Sequence, residues 1–179
     1  MKWILAVLIT VLVSCNQKSP SDAAKRTPSG SAISSGNTSG DEEDLIPVGA
    51  LKEEFTETPG LIRVTLVDQG GLKSADGYYL NNKRHGAWTE YQTNGIIKSI
   101  TSYYHGKKEG LCVEMNNGQM TKRFYYHHGL RHGDYKEFIS TSLKEERNYV
   151  NGKIEGTVRI FYDYNSKLME EGNYKNGLR

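Results

Sequence analysis

A short phrase recurs through the second half of this 179-residue chain. It reads YLNNKRHG from Tyr79, YYHGKKEG from Tyr103, YHHGLRHG from Tyr126 and YVNGKIEG from Tyr149, and returns as YKNGLR from Tyr174. The tyrosines stand 24, 23, 23 and 25 residues apart. A fixed period in this range is the mark of a repeat architecture. Each unit is one supersecondary element that cannot bury its apolar face alone, so stability has to come from stacking on its neighbours.

Every unit splits into the same parts. The second glycine of the phrase recurs at Gly86, Gly110, Gly133 and Gly156. Two residues later stand Trp88, Cys112, Tyr135 and Val158, and five residues later Tyr91, Met115, Phe138 and Phe161. A turn signal follows: Asn94-Gly95, Asn117-Gly118, Thr141-Ser142 and Asn165-Ser166. Asn-Gly adopts positive φ at low cost and closes tight hairpins. The glycines, together with Tyr, Val, Ile, Thr and Phe between them, disfavour helix. The layout therefore predicts two short strands and two reversals per unit. Spacings of two and five break a period of two, so a bulge between those positions is expected to restore one buried face. Leu61 to Val67, LIRVTLV, alternates as a strand and lacks the full phrase, as a degenerate unit capping the array does.

The pattern resembles the MORN repeat, and more closely the bacterial MORN-variant repeat, with NNKRHGAWTEYQTNG over 81–95 as the best match. The resemblance covers 78–179, as about four units and a partial fifth. It departs where Asn82 stands for the first glycine, and where Thr141-Ser142 and Asn165-Ser166 replace Asn-Gly. It implies an all-β, elongated, single-layer antiparallel sheet of stacked hairpins. It also implies, by analogy with some bacterial members, an antitoxin-like role.

The chain before the repeats has a different character. Residues 1–15, MKWILAVLITVLVSC, combine Lys2 with an 11-residue apolar run from Trp3 to Val13. That is short for a membrane span, which takes about 20 residues, and suits an export signal. Leu12-Val13-Ser14-Cys15 resembles a bacterial lipobox, which implies lipid on Cys15 and loss of the preceding peptide; a plain cleaved signal or an apolar tail is the alternative. Residues 16–44 are Ser, Gly, Thr, Asn, Pro, Asp and Lys with few apolar side chains, the composition of a disordered tether spanning roughly 30 Å. Residues 45–77 make an acidic segment and the capping strand. The same resemblance to bacterial lipoproteins implies, from Asn16 rather than Asp after Cys15, the outer membrane of the envelope.

Net charge is +2, too small to argue for nucleic acid. It is unevenly spread: 41–57 holds seven acids and one lysine, whereas 78–179 holds 16 Lys plus Arg against 11 Asp plus Glu. No nucleophile motif, phosphate loop or dinucleotide fingerprint is present, so no catalytic residue, cofactor or small-molecule substrate is expected. Cys112 reads as a small apolar side chain, with an intermolecular disulfide or reactive thiol as the alternative. His105 and His128 share one repeat position, and His85 and His132 another, where Glu109 and Glu155 stand in the other units. Equivalent positions in successive hairpins lie two strands, about 10 Å, apart, too far to share one ion. His127 and His128 point to opposite faces if the strand continues through them. Only His128 with His132 is left as a pair, and no metal is expected.

Lys83, Arg84, Lys107, Lys108, Arg131 and Lys153 all fall within the glycine phrase. They are expected to form a basic stripe along one sheet edge. Such a stripe attracts anionic lipid, polymer or protein, or serves as a solvated edge that resists sheet aggregation. Tyr79, Tyr103, Tyr126, Tyr149 and Tyr174 are expected to form a packed ladder. Tyr78, Tyr104 and Tyr125 should face the other side and are candidates for partner contact. The expected function is a non-enzymatic, lipid-anchored envelope protein whose repeat sheet binds a protein or envelope polymer.

Overall fold

The computed structural model describes residues 45–163 and 166–179. The lipobox-like Cys15, the rest of the expected signal segment and the expected tether at 16–44 lie outside the described residues. Within these, the chain forms β1 (Leu51–Glu54), β2 (Leu61–Val67), β3 (Lys73–Leu80), β4 (Lys83–Tyr91), β5 (Ile97–Tyr104) and β6 (Lys107–Asn116). It continues as β7 (Gln119–His127), β8 (Leu130–Ile139), β9 (Ser142–Val150), β10 (Lys153–Ile154), β11 (Gly156–Phe161) and β12 (Leu168–Tyr174). These strands make one open antiparallel sheet in chain order, with β10 and β11 both paired to β9. The all-β sheet of stacked hairpins is as the repeat predicts.

The glycine phrase does two jobs. Its first part is a two-residue reversal in which both residues have positive φ, as at His105 (+49°) and Gly106 (+83°), the geometry that matches strand twist. Its second glycine belongs to the following strand. At Gly133 φ is +85°, and the pairing jumps from Tyr126↔Arg131 to Phe124↔Tyr135, so a bulge sits there. In the fourth unit the same interruption separates β10 from β11 at Glu155.

One face of the sheet is aromatic. The register aligns Val64, Gly77, Trp88, Thr101, Cys112, Phe124, Tyr135 and Arg147 in one row across eight strands. Two buried clusters lie on it. Val64, Ala75, Tyr79 and Trp88 form the first, against which Ile46 and Ala50 pack. Cys112, Phe124, Tyr135 and Tyr149 form the second. All four residues two places after the second glycine are buried. Tyr79 and Tyr149 of the tyrosine ladder are buried, while Tyr103, Tyr126 and Tyr174 are half-buried.

Three expectations need correction. The expected capping strand, Leu61–Val67, forms as β2 but is covered by β1, whose four residues LKEE are all exposed and supply a charged edge. The third hairpin turns at Ser140 (φ +54°) and Thr141, one residue before the expected Thr141-Ser142. A register shift does fall between Glu90 and Tyr91, but its extra residue, Lys98, lies on β5. β4 stays regular there, so Tyr91 projects from the face opposite Trp88, where its hydroxyl donates to Asp76 Oδ1 at 2.7 Å.

That second face is ionic. Arg63 donates to Asp76 at 3.2 Å and Arg123 to Asp134 at 3.0 Å. Lys136, Glu146, Arg159 and Glu171 alternate in sign across four strands, with Arg159 3.0 Å from Glu146 and 2.7 Å from Glu171. Most of these side chains are well exposed, so solvent and salt screen each pair and it contributes little. Asp76 is the exception, with a side chain only 14% exposed. Burial pushes its carboxyl up, but the Tyr91 hydroxyl, the Arg63 guanidinium and the Lys73 ammonium outweigh burial and hold its pKa below the ordinary 3.8. An acid with a depressed folded pKa stabilises the fold above its unfolded value and loses that contribution as pH falls through the folded one. Denaturation midpoints followed from pH 7 down to pH 2 are expected to decline below about pH 4. Asp76→Asn is expected to be less stable at neutral pH and to show a shallower decline.

Candidate functional site

The expected basic stripe divides, and the register shows how. The reversal takes only Asn81 and Asn82, so Lys83 pairs with Leu80 and Arg84 with Tyr79. The cations are thus the first residues of a strand, and successive residues point to opposite faces. Arg84, Lys108 and Arg131 pair with Tyr79, Tyr103 and Tyr126 and share the aromatic face. Lys83, Lys107 and Lys153 take the ionic face and are exposed.

On the aromatic face the guanidinium groups roof the core. Arg84 Cζ lies 4.8 Å from the Trp88 ring centre and 5.3 Å from that of Tyr103, and Arg84 Nε donates to the Tyr79 hydroxyl at 3.3 Å. Arg131 Cζ lies 4.9 Å from Phe124 and 5.6 Å from both Tyr135 and Tyr149. Arg147 covers Tyr135 at 4.5 Å. Such contacts contribute about 0.5–1 kcal/mol when exposed and ~2 kcal/mol when desolvated. In a single layer, they take the place of a second sheet.

Tyr78, Tyr104 and Tyr125 lie on the ionic face with exposures of 37%, 58% and 36%. Six of the nine candidate contact residues therefore share one face near the glycine-turn edge: these three tyrosines with Lys83, Lys107 and Lys153. Lys83, Tyr104, His105 and Lys107 border a common open hollow there with Glu109 and His128.

The turns themselves are stitched together. The Gly106, Gly129, Gly152 and Gly177 amides donate to the Arg84, Lys108, Arg131 and Ile154 carbonyls of the preceding unit at 2.8–3.0 Å. The residue before the second glycine reinforces this link. Glu109 Oε2 accepts from the His128 amide at 2.7 Å and Glu155 Oε2 from the Asn176 amide at 2.8 Å, while His132 Nδ1 lies 3.5 Å from the Asn151 amide.

No family model matches this chain, and no curated protein matches it.

The Glu109 position also explains the histidines. Glu109 Oε1 lies 2.7 Å from His127 Nδ1. The His128 amide and then the His127 ring hold the Glu109 carboxyl below its ordinary range. His127 ends β7, and His128 enters the reversal with φ +51°, so the strand does not continue through them. Their ring centres lie 3.9 Å apart. The structure brings unlike positions of successive units together, the residue before one bulge with the end of the next strand. His85 with Tyr104 and His105 is the matching group one unit earlier, with ring centres 5.3–5.5 Å from His85. Cys112 is buried, burial pushes its thiol pKa up, and its sulfur lies 3.3 Å from Thr101 Oγ1. That environment matches the apolar filler and not a reactive thiol.

Proposed function

We propose that this chain is a non-enzymatic lipoprotein of a bacterial envelope whose MORN-variant-like sheet binds a protein or envelope polymer. Lipid on Cys15 anchors it, with the outer membrane as the favoured location, and residues 16–44 space the sheet from the bilayer. One observation carries the binding role: Tyr78, Tyr104 and Tyr125 stand exposed on the same face as Lys83, Lys107 and Lys153. Tyrosine supplies apolar area with a polar tip, and lysine adds long-range attraction for a carboxylate- or phosphate-bearing partner.

Two arms test this reading. Cys15→Ser is expected to move the protein from the membrane fraction to the soluble one, and unchanged fractionation would remove the anchor from the proposal. Capture from solubilised envelope with the anchored chain as bait is expected to yield a partner that Tyr104→Ala/Lys107→Ala fails to retain. Equal recovery by the parent and the double variant would count against this face. An anionic-lipid role for the basic row is less well supported, because Arg84 and Arg131 are already stacked on aromatic rings.

A further inference from the structure

At one junction between units, three ligand-bearing side chains meet. Glu109, His127 and His128 each offer a ligand atom, and these atoms all lie within 4.8 Å of one another. The Glu109 carboxylate is already close to both rings, at 2.7 Å from His127 Nδ1 and 4.0 Å from His128 Nδ1. Four-coordinate zinc with bonds of about 2.0–2.2 Å places its ligand atoms roughly 3.3 Å apart. Closing the set takes side-chain adjustments of up to about 1.5 Å, and the imidazoles are placed to make them, being 50% and 77% exposed. The carboxylate is the fixed member, because Oε2 is held by the His128 amide at 2.7 Å. A second hydrogen bond of this kind orients a metal-binding carboxylate and raises affinity.

From this geometry we propose that Glu109, His127 and His128 form a binding site for a zinc-class divalent cation, with a fourth position open to water. Two imidazoles and one carboxylate suit zinc; calcium and magnesium prefer six or more oxygen ligands. The matching groups at the other junctions each lack part of the donor set. The first has Tyr104 where this one has His127, the third has Val150 and Asn151, and the fourth has Lys175 and Asn176. One such site follows among the described residues. The expectation of no metal rests on the roughly 10 Å between like positions and on a strand continuing through His127 and His128, and neither holds for this cluster. The proposal is independent of the binding role above.

The test is calorimetric titration of the untagged full chain, in detergent and a non-chelating buffer, with zinc chloride. One ion per chain is expected. Glu109→Gln keeps an acceptor for the His128 amide, and His128→Asn installs the residue that Asn151 and Asn176 already use in this reversal, so both are expected to retain the sheet by circular dichroism. Each is expected to weaken zinc binding about tenfold or more. His105→Asn, the same change one unit earlier, is expected to bind like the parent. The proposal is overturned if the parent takes up no zinc, or if either Glu109→Gln or His128→Asn keeps the parental affinity.

Discussion

Replacing Tyr79 with alanine is expected to lower the stability of the sheet by about 3–5 kcal/mol, the range for removing a buried aromatic ring. The side chain is 0% exposed. Its ring meets Trp88 edge-on at 5.8 Å and 84°, and its hydroxyl accepts from Arg84 Nε. Truncation therefore opens a cavity beside Trp88 in the first cluster and takes an acceptor from a half-buried guanidinium. A domain with about 5–15 kcal/mol in total has little room for such a loss. Tyr79→Phe keeps the ring and is expected to cost about 1 kcal/mol, the net value of one hydrogen bond. Tyr104→Ala, at an exposed position, is expected to stay within about 0.5 kcal/mol of the parent. Urea midpoints for the three variants measure the differences. A Tyr79→Ala loss as small as that of Tyr104→Ala would mean that the first cluster is not closed.

The second large effect is expected at Gly77. This glycine sits in the buried row directly opposite Trp88. A methyl group there would overlap Trp88 Cε3, and would also lie 2.9 Å from the Ala87 carbonyl oxygen and 3.1 Å from Trp88 Cα. Two of these three atoms are backbone, so rotating the indole cannot relieve the clash. Overpacking of this kind costs about 1–3 kcal/mol and sometimes more. Gly77→Ala is expected to lower the urea midpoint by a corresponding amount and to shift Trp88 emission to the red as the ring is pushed out from beneath Arg84. Unchanged emission and midpoint would show that β3 and β4 are further apart than described.

Much of this fold can be read from the chain because the same residues recur in the same places. The 23-residue period locates the hairpins, and the residue two places after each second glycine, Trp88, Cys112, Tyr135 or Val158, is buried in every unit. Strand β1 is harder to foresee. Its sequence, LKEE, has no alternation of its own and is ordered by pairing with β2. Tyr91 illustrates a second limit. Counting from the glycine shows that a shift is needed, but not which strand of a pair absorbs it, and placing Lys98 in β5 leaves Tyr91 on the ionic face. The division of the basic row between two faces has a related cause. The reversal takes only two residues, so Lys83 and Arg84 are strand residues and must diverge. Glu109 meets His127 immediately before the bulge at Gly110, where the pleat is interrupted, and no periodicity in the letters reports that.

The stitching between turns has an evolutionary corollary. Every junction repeats one pattern, a glycine amide on the carbonyl of the unit before it. Duplicating or deleting one whole unit in the gene reproduces that join without any compensating mutation. The length of the array can therefore drift in steps of a single module, so that reach is adjusted by copy number while the manner of assembly is inherited unchanged.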